Sequence, residues 1–518
     1  MGAETRSMRP EHQQPRSLTE LIRHFDFQVQ SSTADVEITG ITLSSKDVRD
    51  GDLFVGLPGA RAHGARFAAD ARAAGAVAIL TDAEGAQLVG DSLLPVVVTE
   101  DLRSKLGSVA AWVYGTAQGA VPTFGVTGTN GKTSVVYLLT TLLRQLGISS
   151  GLSTTAERRI GERAITSDLT TPESPELHAL LACMAEAQVG AIALEVSAQA
   201  LSRHRIDGVV FDVVGFTNLS HDHFDDYEAF EDYFQAKAQL FSPERARRGV
   251  VLIDDEWGIR LASESQVPVT TLTSSPTTRA DWRFEITHET PRSTAFRLSA
   301  LDGRTLETSV PVMGRFMASN AALAIVMLVE AGHALDDIAT VLGRDGGFDI
   351  VIPGRAEIVS GEQGPVVYVD YGHTPDAFEG LLSSLQAVTP GKVFMVFGAD
   401  GDRDTTKRHA MGAIAARGAD VVIITDFHPR TEDPAVIRRA LLEGARSAGS
   451  AAEVVEEADP QLAMRLAIRL ATDGDAILYA GPGHEDYREV NGVHLDYNAR
   501  EDVRAALREA GLPPLGEN

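Results

Sequence analysis

The sequence is poor in three features that would assign it to a particular class of protein: cysteine, long apolar runs and basic residues. Cys183 is the only cysteine among 518 residues, so no internal disulfide can form. Its place in the apolar run ALLACMAEA predicts a buried helix residue in a reducing compartment. No apolar run is long enough to span a bilayer, and the opening MGAETRSMRPEHQQPRS lacks the hydrophobic core of a signal peptide. We therefore predict a cytoplasmic protein in which residues 1–17 form a disordered tail.

The shortage of basic residues excludes some partners. There are 46 Lys and Arg residues against 72 Asp and Glu residues, which gives a formal net charge of −26. Nucleic acids and anionic membranes both require a basic protein surface. We expect neither as a partner, and predict a monomer that acts on small molecules.

Short apolar strands alternate with alanine-rich helices along the chain, which is typical of an α/β fold with mainly parallel sheets. We predict three domains over residues 18–117, 118–350 and 351–518. The first holds the strands DLFVGL and AVAILTD, and the second opens with AVPTFGVTG and contains an antiparallel insert within residues 277–312. The third holds the strands KVFMVFG, DVVIITD and DAILYAG. The Gly/Pro-rich stretch GRDGGFDIVIPG between the second and third domains predicts a hinge.

The stretch GVTGTNGKTS, residues 125–134, has the features of a phosphate-binding loop. A strand ends in a glycine-rich turn and a helix begins directly after it, so backbone N–H groups and the helix dipole converge on one point. Lys132 would add a charge for the β- and γ-phosphates, and Thr133 a hydroxyl for Mg²⁺. The spacing is unusual, because Val126 stands where the common motif has glycine, and the glycine is Gly128 instead. The alternative is an ordinary glycine-rich turn.

Two further sets of residues in the second domain could carry metal chemistry. Glu195 ends the buried strand GAIALE, and a carboxylate at that end of a parallel strand is well placed to hold Mg²⁺. His221, Asp222 and His223 follow the strand VVGFTN, and form either a metal site or a polar loop. Lys237 in QAKAQLF is by itself only a helix lysine.

The loop TGTNGKT resembles that of the Mur ligase family, the ATP-dependent amide ligases of peptidoglycan assembly, and the resemblance extends over nearly the whole chain. It implies a UDP-binding first domain, a central ATPase domain with a phosphate loop, and a Rossmann-like third domain. It also implies ATP and Mg²⁺ as cofactors. The implied ATP-binding residues are Gly128, Thr129, Asn130, Gly131, Lys132, Thr133, Ser134, Asn320, Arg355 and Asp370.

The resemblance also assigns catalytic and metal-binding roles. Thr133, Glu195 and His223 are the implied Mg²⁺ ligands, and Lys132, Glu195, His223 and Lys237 the implied catalytic residues. In the family, a lysine matching Lys237 is carbamylated by CO₂, which turns an ammonium into a carboxylate-like group. This modification is implied by the resemblance alone.

Within the family, the chain is most similar to the member that adds the third residue of the peptide stem to UDP-N-acetylmuramoyl-L-Ala-D-Glu. The implied contacts with this UDP-substrate are Leu43, Ser45, Thr170, Thr171, Ser197 and Arg205. Several neighbouring positions depart from the family pattern, namely Ser44, Lys46, Gln199 and Arg203. In the implied adenine-binding element, GRFMASNAALA, Met317 stands where a first asparagine is usual.

The third domain supplies the implied amino-acid site. Polar motifs follow three of its strands, and their tips meet at one edge of a parallel sheet. The implied contacts are Arg403, Phe427, His428, Pro429, Arg430, Gly481 and Glu485. Two guanidiniums and one carboxylate are complementary to an amino acid. Because Arg430 occupies the place of an arginine that meets a distal carboxylate in the family, meso-diaminopimelate is the favoured amine, although His428 stands where asparagine is usual.

The implied reaction activates the D-glutamate γ-carboxylate as an acyl phosphate, which the incoming amine then attacks. A third domain hinged at residues 347–354 would close over the site and protect the acyl phosphate from water. Asp222 and His223 are the nearest candidates for accepting the proton of the amine. Three alternatives stay open: a related ligase that adds lysine, ornithine or a secondary-pathway amine, a folyl-polyglutamate ligase, and a phosphate-loop switch ATPase.

Overall fold

The computed structural model describes residues 8–30, 35–59, 62–90, 92–117, 119, 121–161, 163–167, 169–220, 227 and 229–516. Three large sheets follow one another along the chain, with five, eleven and six strands. They confirm the predicted α/β fold of three domains, whereas the domain boundaries stay predictions. Within the described residues, no helix has the length and the apolar composition needed to cross a membrane.

The first sheet is mainly parallel. Its strands lie in the order β2-β7-β6-β5-β4, where only β2 runs antiparallel, and β1 pairs with β3 in a separate ladder. The predicted strands DLFVGL and AVAILTD are confirmed as β5 and β6. The elements are β1 (Arg16–Ser17), α1 (Leu18–Phe25), β2 (Gln28–Val29), β3 (Glu37–Ile38), β4 (Gly40–Thr42), β5 (Asp52–Gly56), α2 (Ala68–Ala73), β6 (Ala78–Thr81), α3 (Ala83–Val89), β7 (Val96–Val98) and α4 (Leu102–Tyr114).

The predicted disordered tail is wrong for residues 8–17. Met8 is buried, the Arg9 guanidinium pairs with the Asp52 carboxylate, and β1 ends this segment. The polar composition of the segment concealed the apolar side chain of Met8 and the cationic side chain of Arg9, which bind it to the rest of the molecule.

The second sheet has a parallel centre and antiparallel edges. Its order is β11-β10-β9-β12-β8-β13-β14-β15-β16-β17-β18, and the predicted antiparallel insert is confirmed as β16–β18, which continue the sheet. The elements are β8 (Thr123–Thr127), α5 (Lys132–Gln145), β9 (Ser150–Ser153), β10 (Glu157–Ile160), β11 (Arg163–Thr166), α6 (Ser174–Glu186), β12 (Ala191–Glu195), α7 (Ala198–Ser202), β13 (Val213–Phe216), α8 (Phe230–Ala238), β14 (Gly249–Leu252), α9 (Glu256–Glu264), β15 (Val269–Thr273), β16 (Trp282–Thr290), β17 (Ser293–Ala300), β18 (Thr305–Val310), α10 (Arg315–Glu330) and α11 (Leu335–Asp345).

The third sheet has the order β19-β20-β24-β21-β22-β23, in which only β19 is antiparallel. The three predicted buried strands are confirmed as β21, β22 and β24. Because β24 lies between β20 and β21, loops that are distant in sequence meet at one edge of this sheet. The elements are β19 (Glu357–Ile358), β20 (Val366–Asp370), α12 (Pro375–Val388), β21 (Val393–Phe397), α13 (Lys407–Gly418), β22 (Val421–Ile424), α14 (Pro434–Ser447), β23 (Glu453–Glu456), α15 (Pro460–Leu470), β24 (Ala476–Ala480), β25 (Tyr487–Val490), β26 (Val493–Asp496) and α16 (Ala499–Glu509).

The helices that follow the strands bury apolar faces against these sheets. Helices α5 and α10 are apolar over most of their length and pack on the second sheet, as a helix between other layers must. Cys183 is buried in α6, as predicted, and burial raises the pKa of its thiol to about 11. Phe348, Ile350 and Ile352 of the connecting segment join the cores of the second and third sheets. The region predicted to be a hinge is therefore packed in this arrangement.

Candidate active site

The loop between β8 and α5 has a shape that requires glycine. Gly128 and Gly131 have φ values of +145° and +88°, and a Cβ on Gly128 would lie 1.8 Å from Thr217 Oγ1. The hydroxyl of Thr217 donates to Asn130 O at 2.6 Å, and the N–H of Asn130 donates to Asn218 Oδ1 at 3.0 Å. The loop that follows β13 therefore holds this turn open, so that it forms a shallow cradle at the start of α5.

Lys132 begins α5 and folds back over the cradle. Its Nζ donates to the carbonyl oxygens of Gly128 at 3.1 Å and Thr129 at 2.8 Å. The same atom lies 3.9 Å from Glu195 Oε1. The predicted phosphate-binding cation therefore stands where the loop and the strand-end carboxylate meet.

Glu195 is fixed by hydrogen bonds from two elements. Strands β12 and β8 are neighbours, and this places Glu195 opposite Val126 and next to the cradle. Its carboxylate accepts from Thr133 Oγ1 at 2.9 Å, from Thr155 N at 2.9 Å and from Thr155 Oγ1 at 3.1 Å. The side chain is 3% exposed. The structure thus brings Lys132, Thr133 and Glu195 together. Phosphate binding by Lys132 and Mg²⁺ binding by Thr133 and Glu195 stay predictions.

The donor chemistry of this cluster fits Mg²⁺ and a nucleotide phosphate. Carboxylate and hydroxyl oxygens are ligands that Mg²⁺ prefers, and the cradle supplies backbone N–H groups for phosphate oxygens. Within the described residues, no cluster of three or more His, Cys, Asp or Glu side chains could hold a metal. The predicted residues His221, Asp222 and His223 lie outside the described residues.

Lys237 contacts the cradle from α8. It lies on α8 with 1% exposure, and its Nζ donates to Gly128 O at 2.8 Å and stands 4.2 Å from the centre of the Tyr233 ring. Its position beside the phosphate loop agrees with a role in the site. Carbamylation of Lys237 stays a prediction.

The third domain contacts the phosphate loop directly. Arg355 Nη2 donates to Thr133 Oγ1 at 3.2 Å, and its guanidinium lies 4.3 Å from the centre of the Tyr371 ring. Asp370, the predicted ribose contact, ends β20 and accepts from the N–H groups of Ala356 at 2.6 Å and Gly372 at 2.5 Å. Burial raises the pKa of Asp370, and the nearby Arg355 opposes this shift. Asp370 therefore holds the entry segment of the third domain in place.

Asn320, the predicted adenine contact, approaches the cradle from α10. A Cβ on Gly131 would lie 2.5 Å from Asn320 Oδ1, so the amide stands against the loop. Thr129 and Ser134 are buried in the loop and in the first turn of α5. All predicted ATP-binding residues thus lie around one cradle or on the segment that contacts it.

The predicted amino-acid residues gather at the edge of the third sheet. His428 Nε2 lies 2.7 Å from Glu485 Oε2, and His428 Nδ1 accepts from the N–H of Glu489 at 2.8 Å. Because Nδ1 accepts, the proton on the ring is at Nε2 and is donated to Glu485. Phe427 packs against the His428 ring at 4.0 Å between centroids. His428 is thereby a fixed wall of the site.

Arg430 is held between two carboxylates that sequence reasoning missed. Its Nη2 lies 3.5 Å from Asp400 Oδ1, and its Nε lies 3.5 Å from Glu489 Oε2. Asp400 follows β21, and Glu489 lies on the hairpin of β25 and β26, which bonds to the Arg430 backbone. Arg403 is exposed on the loop after β21. Gly481, at the end of β24, donates its N–H to Asp370 O, and Pro429 lies beside Gly401.

The predicted UDP-substrate residues lie on the other side of the cradle. Thr171 Oγ1 donates to Glu195 O at 2.8 Å and accepts from Ser197 N at 3.1 Å. Thr170 Oγ1 lies 3.0 Å from Thr155 Oγ1, so this element adjoins the Glu195 cluster. Ser197 also caps α7 through its side chain.

Arg205 completes this side of the site. Its Nε lies 2.8 Å from Glu173 Oε1, and the Arg103 guanidinium on α4 reaches the same carboxylate at 2.7 Å. Leu43 and Ser45 lie in the loop between β4 and β5, and Leu43 lines a cavity of about 60 Å³ together with Glu173. Residues of the first and second domains therefore face each other across this cavity.

Comparisons with known proteins agree with this arrangement. Three family models match: "Mur ligase family, catalytic domain" over residues 37–114, "Mur ligase middle domain" over residues 126–328, and "Mur ligase, glutamate ligase domain" over residues 354–483. The UDP-N-acetylmuramyl-tripeptide synthetase of Leifsonia xyli is 61% identical over 98% of this chain and 99% of its own. The chain belongs to the Mur ligase family.

Other Mur ligases are similar over comparable lengths. The UDP-N-acetylmuramoyl-L-alanyl-D-glutamate–2,6-diaminopimelate ligase of Streptomyces coelicolor is 43% identical over 93% of this chain and 94% of its own. A solved structure of a ligase with the same name has a TM-score of 0.66 at 27% identity, and the match covers 96% of this chain and all of the other. As a Mur ligase, this protein is an ATP-dependent amide ligase that works with Mg²⁺.

Four residues that contact the predicted site of this Mur ligase were missed from sequence. Thr155 and Tyr371 fix Glu195 and Arg355, and Asp400 and Glu489 flank Arg430. Asp400 stands in the motif FGADGDRD, two residues after the predicted strand KVFMVFG, and this position could have indicated a site residue. Glu489 had none, because its contact depends on how a hairpin folds back onto another loop.

Proposed function

We propose that this Mur ligase joins a diamino acid, with meso-diaminopimelate favoured, to the D-glutamate of UDP-N-acetylmuramoyl-L-Ala-D-Glu in the synthesis of peptidoglycan precursors. The observation that carries the proposal is the hydrogen bond from Arg355 to Thr133, because it joins the predicted amino-acid domain to the phosphate loop. The name of the Streptomyces coelicolor relative states this acceptor, and the Leifsonia xyli relative is named for a UDP-N-acetylmuramyl-tripeptide, which agrees with it.

The reaction has two steps. The γ-carboxylate of D-glutamate attacks the γ-phosphorus of ATP, ADP leaves, and an acyl phosphate forms. The amine then attacks the acyl carbon, the amide forms, and phosphate leaves with the electron pair of the broken bond. Lys132 and the cradle N–H groups bind and orient the phosphates. Mg²⁺, when held by Thr133, Glu195 and His223, supplies further positive charge against the transferring phosphate.

The third domain excludes water and positions the amine. Arg355 and the Tyr371 ring bring the edge of the third sheet against the cradle, so the acyl phosphate forms in a closed cleft. The hinge at residues 347–354 would open this cleft for substrate entry. Handling of the amine proton by Asp222 and His223 stays a prediction.

The surroundings of Arg430 support a diamino dicarboxylic acid. The distal end of meso-diaminopimelate carries one carboxylate and one ammonium. Arg430 offers a guanidinium for the carboxylate, and Asp400 and Glu489 offer carboxylates for the ammonium. The chain thus presents complementary charges to both groups.

A specific observation favours a second class of amine. The carboxylates of Asp400 and Glu489 each lie 3.5 Å from the guanidinium of Arg430, so two negative charges face one positive charge, and this excess favours a distal ammonium without a carboxylate. Lysine and ornithine have that chemistry. The name of the Leifsonia xyli relative specifies no amine.

Phosphate release and an amine panel test the proposal. Purified protein is supplied with ATP, Mg²⁺, UDP-N-acetylmuramoyl-L-Ala-D-Glu and one of meso-diaminopimelate, lysine or ornithine. We expect phosphate release only when both acceptor and amine are present. Turnover of ATP without them would instead indicate a switch ATPase.

Arg430→Ala identifies the amine class, with Arg417→Ala, on α13, as a matched control. If Arg430 binds a distal carboxylate, its loss raises the KM for meso-diaminopimelate far more than that for lysine. An equal rise for both amines would remove the reason for preferring the dicarboxylic acid.

We place this reaction in the cytoplasm and expect a monomer. The single buried cysteine agrees with a reducing compartment, and the acidic composition gives no surface for nucleic acid. Light scattering of the purified protein would test the monomer.

A further inference from the structure

The segment of residues 8–13 crosses from the first domain to the second. Met8 packs in the apolar cluster that includes Leu177 and Leu181 of α6. The N–H groups of Glu11 and His12 donate to the two oxygens of Glu186, at the end of α6, at 2.9 Å and 2.7 Å. These bonds, that of Glu11 foremost, hold the pKa of Glu186 below its usual range.

The same segment is bonded to the first domain through two side chains. Gln13 Nε2 donates to Val113 O on α4 at 2.6 Å. Arg9 Nη1 and Nη2 donate to the two oxygens of Asp52, each at 3.1 Å, and Nη1 also donates to Tyr114 OH at 2.6 Å. The side chains of Arg9 and Asp52 are 8% and 2% exposed, so this forked pair is almost fully buried.

The buried pair controls both ends of the loop between β4 and β5. Asp52 Oδ2 accepts from the N–H of Arg49 at 2.9 Å, where the loop ends. Tyr114 OH accepts from the N–H of Ile41 at 3.4 Å, where the loop begins. A Cβ on Gly40 would lie 2.3 Å from Arg9 Nη1, so the backbone approaches the guanidinium closely.

This loop faces the second domain across a cavity. Leu43 and Ser44 of the loop, together with Arg9, line one side of the 60 Å³ cavity, and Glu173, Pro175 and Glu176 line the other. Glu173 follows the Thr170–Thr171 element that is predicted to contact the UDP-substrate. The width of this cavity depends on the relative position of the two domains, and residues 8–13 are bonded to both.

We propose that residues 8–13 form an interdomain strap, and that Arg9 is a positioning residue for UDP-substrate binding. The strap holds the loop between β4 and β5 and the facing wall of the second domain at the separation that the substrate requires. Arg9 acts through Asp52, Tyr114 and the backbone of the loop. The inference rests on the proposed function, because the substrate of this cavity is that of the ligase.

Arg9→Ala tests the strap, with Arg72→Ala, on the exposed side of α2, as the matched control. The KM for UDP-N-acetylmuramoyl-L-Ala-D-Glu should rise about tenfold, the effect of losing an ordering hydrogen bond to a charged group. The KM for ATP and the kcat at saturation should stay close to wild type, because the cradle is untouched. Arg9→Lys should recover part of the loss, since an ammonium can bond to Asp52 but cannot make the fork.

A second variant keeps the test decisive if Arg9→Ala folds poorly. Glu186→Ala leaves the Arg9–Asp52 pair intact and removes the two hydrogen bonds of the strap to α6, while the packing of Met8 on α6 remains. It should raise the same KM and leave that for ATP unchanged. Direct binding of the UDP-substrate, measured by calorimetry without ATP, should weaken in parallel.

The outcomes separate the strap from the proposed function. Wild type that neither binds nor ligates the UDP-substrate would overturn the proposed function. Wild type that ligates, with Arg9→Ala and Glu186→Ala binding the UDP-substrate as tightly as wild type, would overturn the strap alone. If the variants have a lower melting temperature but an unchanged KM for the UDP-substrate, the segment only stabilises the fold, and the proposed positioning role is overturned.

Discussion

The two ends of the cleft both place cations beside carboxylates, but they hold these groups very differently. At the nucleotide end, Glu195 is 3% exposed at its side chain and accepts hydrogen bonds of 2.9 to 3.1 Å from Thr133 and Thr155. At the amine end, Arg430 is 22% exposed at its side chain, and its nearest carboxylate oxygens are 3.5 Å away. The first site is preorganised, whereas the second can adjust to a ligand.

The difference follows from how each end is built. Strands β12, β8 and β13 are consecutive in one sheet, so the residues at their ends are fixed by the ladder itself. The amine end combines loops after β21 and β22 with the β25–β26 hairpin, which meets Arg430 through a single β-bridge at Val490. A phosphate is the same in every cycle of the reaction, whereas amines differ among related ligases. A rigid nucleotide end and an adjustable amine end suit these two kinds of ligand.

The largest effect is expected at the preorganised end, from Lys132→Ala. This change removes the cation that crosses the cradle, and we expect the kcat to fall on the order of 10²–10³-fold, as when one electrostatic contact to a transition state is lost. Ligation assays at saturating substrates measure it, with Lys407→Ala on α13 as a control. A fall below tenfold would mean that the cradle does not depend on this ammonium.

Glu195→Ala should give the next largest effect, and it should depend on Mg²⁺. Removing the carboxylate takes away a predicted metal ligand and leaves Thr133 and Thr155 without their acceptor. We expect the Mg²⁺ concentration for half-maximal activity to rise about tenfold or more, within the range found for altered metal sites. Activity is measured across a Mg²⁺ titration.

Thr155→Ser is the control for that titration, because it keeps the hydroxyl that donates to Glu195. Its Mg²⁺ dependence should match that of the wild type. If Glu195→Ala loses activity equally at all Mg²⁺ concentrations, the carboxylate orients the loop and does not bind the metal.

The same contrast explains which parts of the molecule could be predicted from the sequence. The strand–loop–helix around Lys132 is contiguous in sequence, so the pattern of its glycines and hydroxyl residues predicts the turn directly. Glu195 was found because a carboxylate at the end of a buried parallel strand has few places to lie. Local pattern was sufficient for these two features, whereas Thr155, which bonds to Glu195, was missed.

The missed features are contacts between distant segments that leave no periodic trace. Nothing in the sequence shows that β24 lies between β20 and β21, or that Glu489 turns back to Arg430. Arg9 and Asp52 are 43 positions apart, and the polar composition around Arg9 predicted disorder. Such contacts depend on tertiary packing, which composition and period do not encode.

A smaller effect should come from the adjustable end, by removing the two carboxylates beside Arg430. In the double variant Asp400→Asn, Glu489→Gln, the distal ammonium of diaminopimelate loses its predicted partners. The preference in kcat/KM for meso-diaminopimelate over 2-aminopimelate, which lacks that ammonium, should fall about tenfold, as for one charged hydrogen bond.

Glu443→Gln, on the exposed face of α14, is the control for the double variant. An unchanged preference would show that Asp400 and Glu489 only neutralise Arg430.

The smallest effect concerns His484, which lies on the third domain between the two ends. Burial, with the nearby Arg355 and Arg500, lowers the pKa of His484 to about 3, while the Thr155 backbone opposes the shift. The folded protein therefore keeps this ring neutral, whereas the unfolded chain protonates it near pH 6.5. The unfolded state binds more protons between these pH values, so the stability that His484 contributes is present above pH 6.5 and is lost as the pH falls toward 3.

Replacing His484 should therefore flatten the pH dependence of unfolding. Its share is at most about 1.4 kcal/mol per pH unit, which corresponds to a few degrees or less in a chain of this size. Scanning calorimetry from pH 7 to pH 5 should show a steeper fall in melting temperature for wild type than for His484→Gln.

His178→Gln is the control that locates the effect. Burial also lowers the pKa of His178 to about 4, but that ring bonds to Thr116 and Asp207, far along the chain from the third domain. If only His484→Gln makes the unfolding of the third domain less sensitive to pH, the pH dependence of stability comes from His484, which lies between the nucleotide end and the amine end. If both variants change every unfolding transition alike, the nucleotide end and the amine end unfold together. The difference between these two ends is then confined to their side chains.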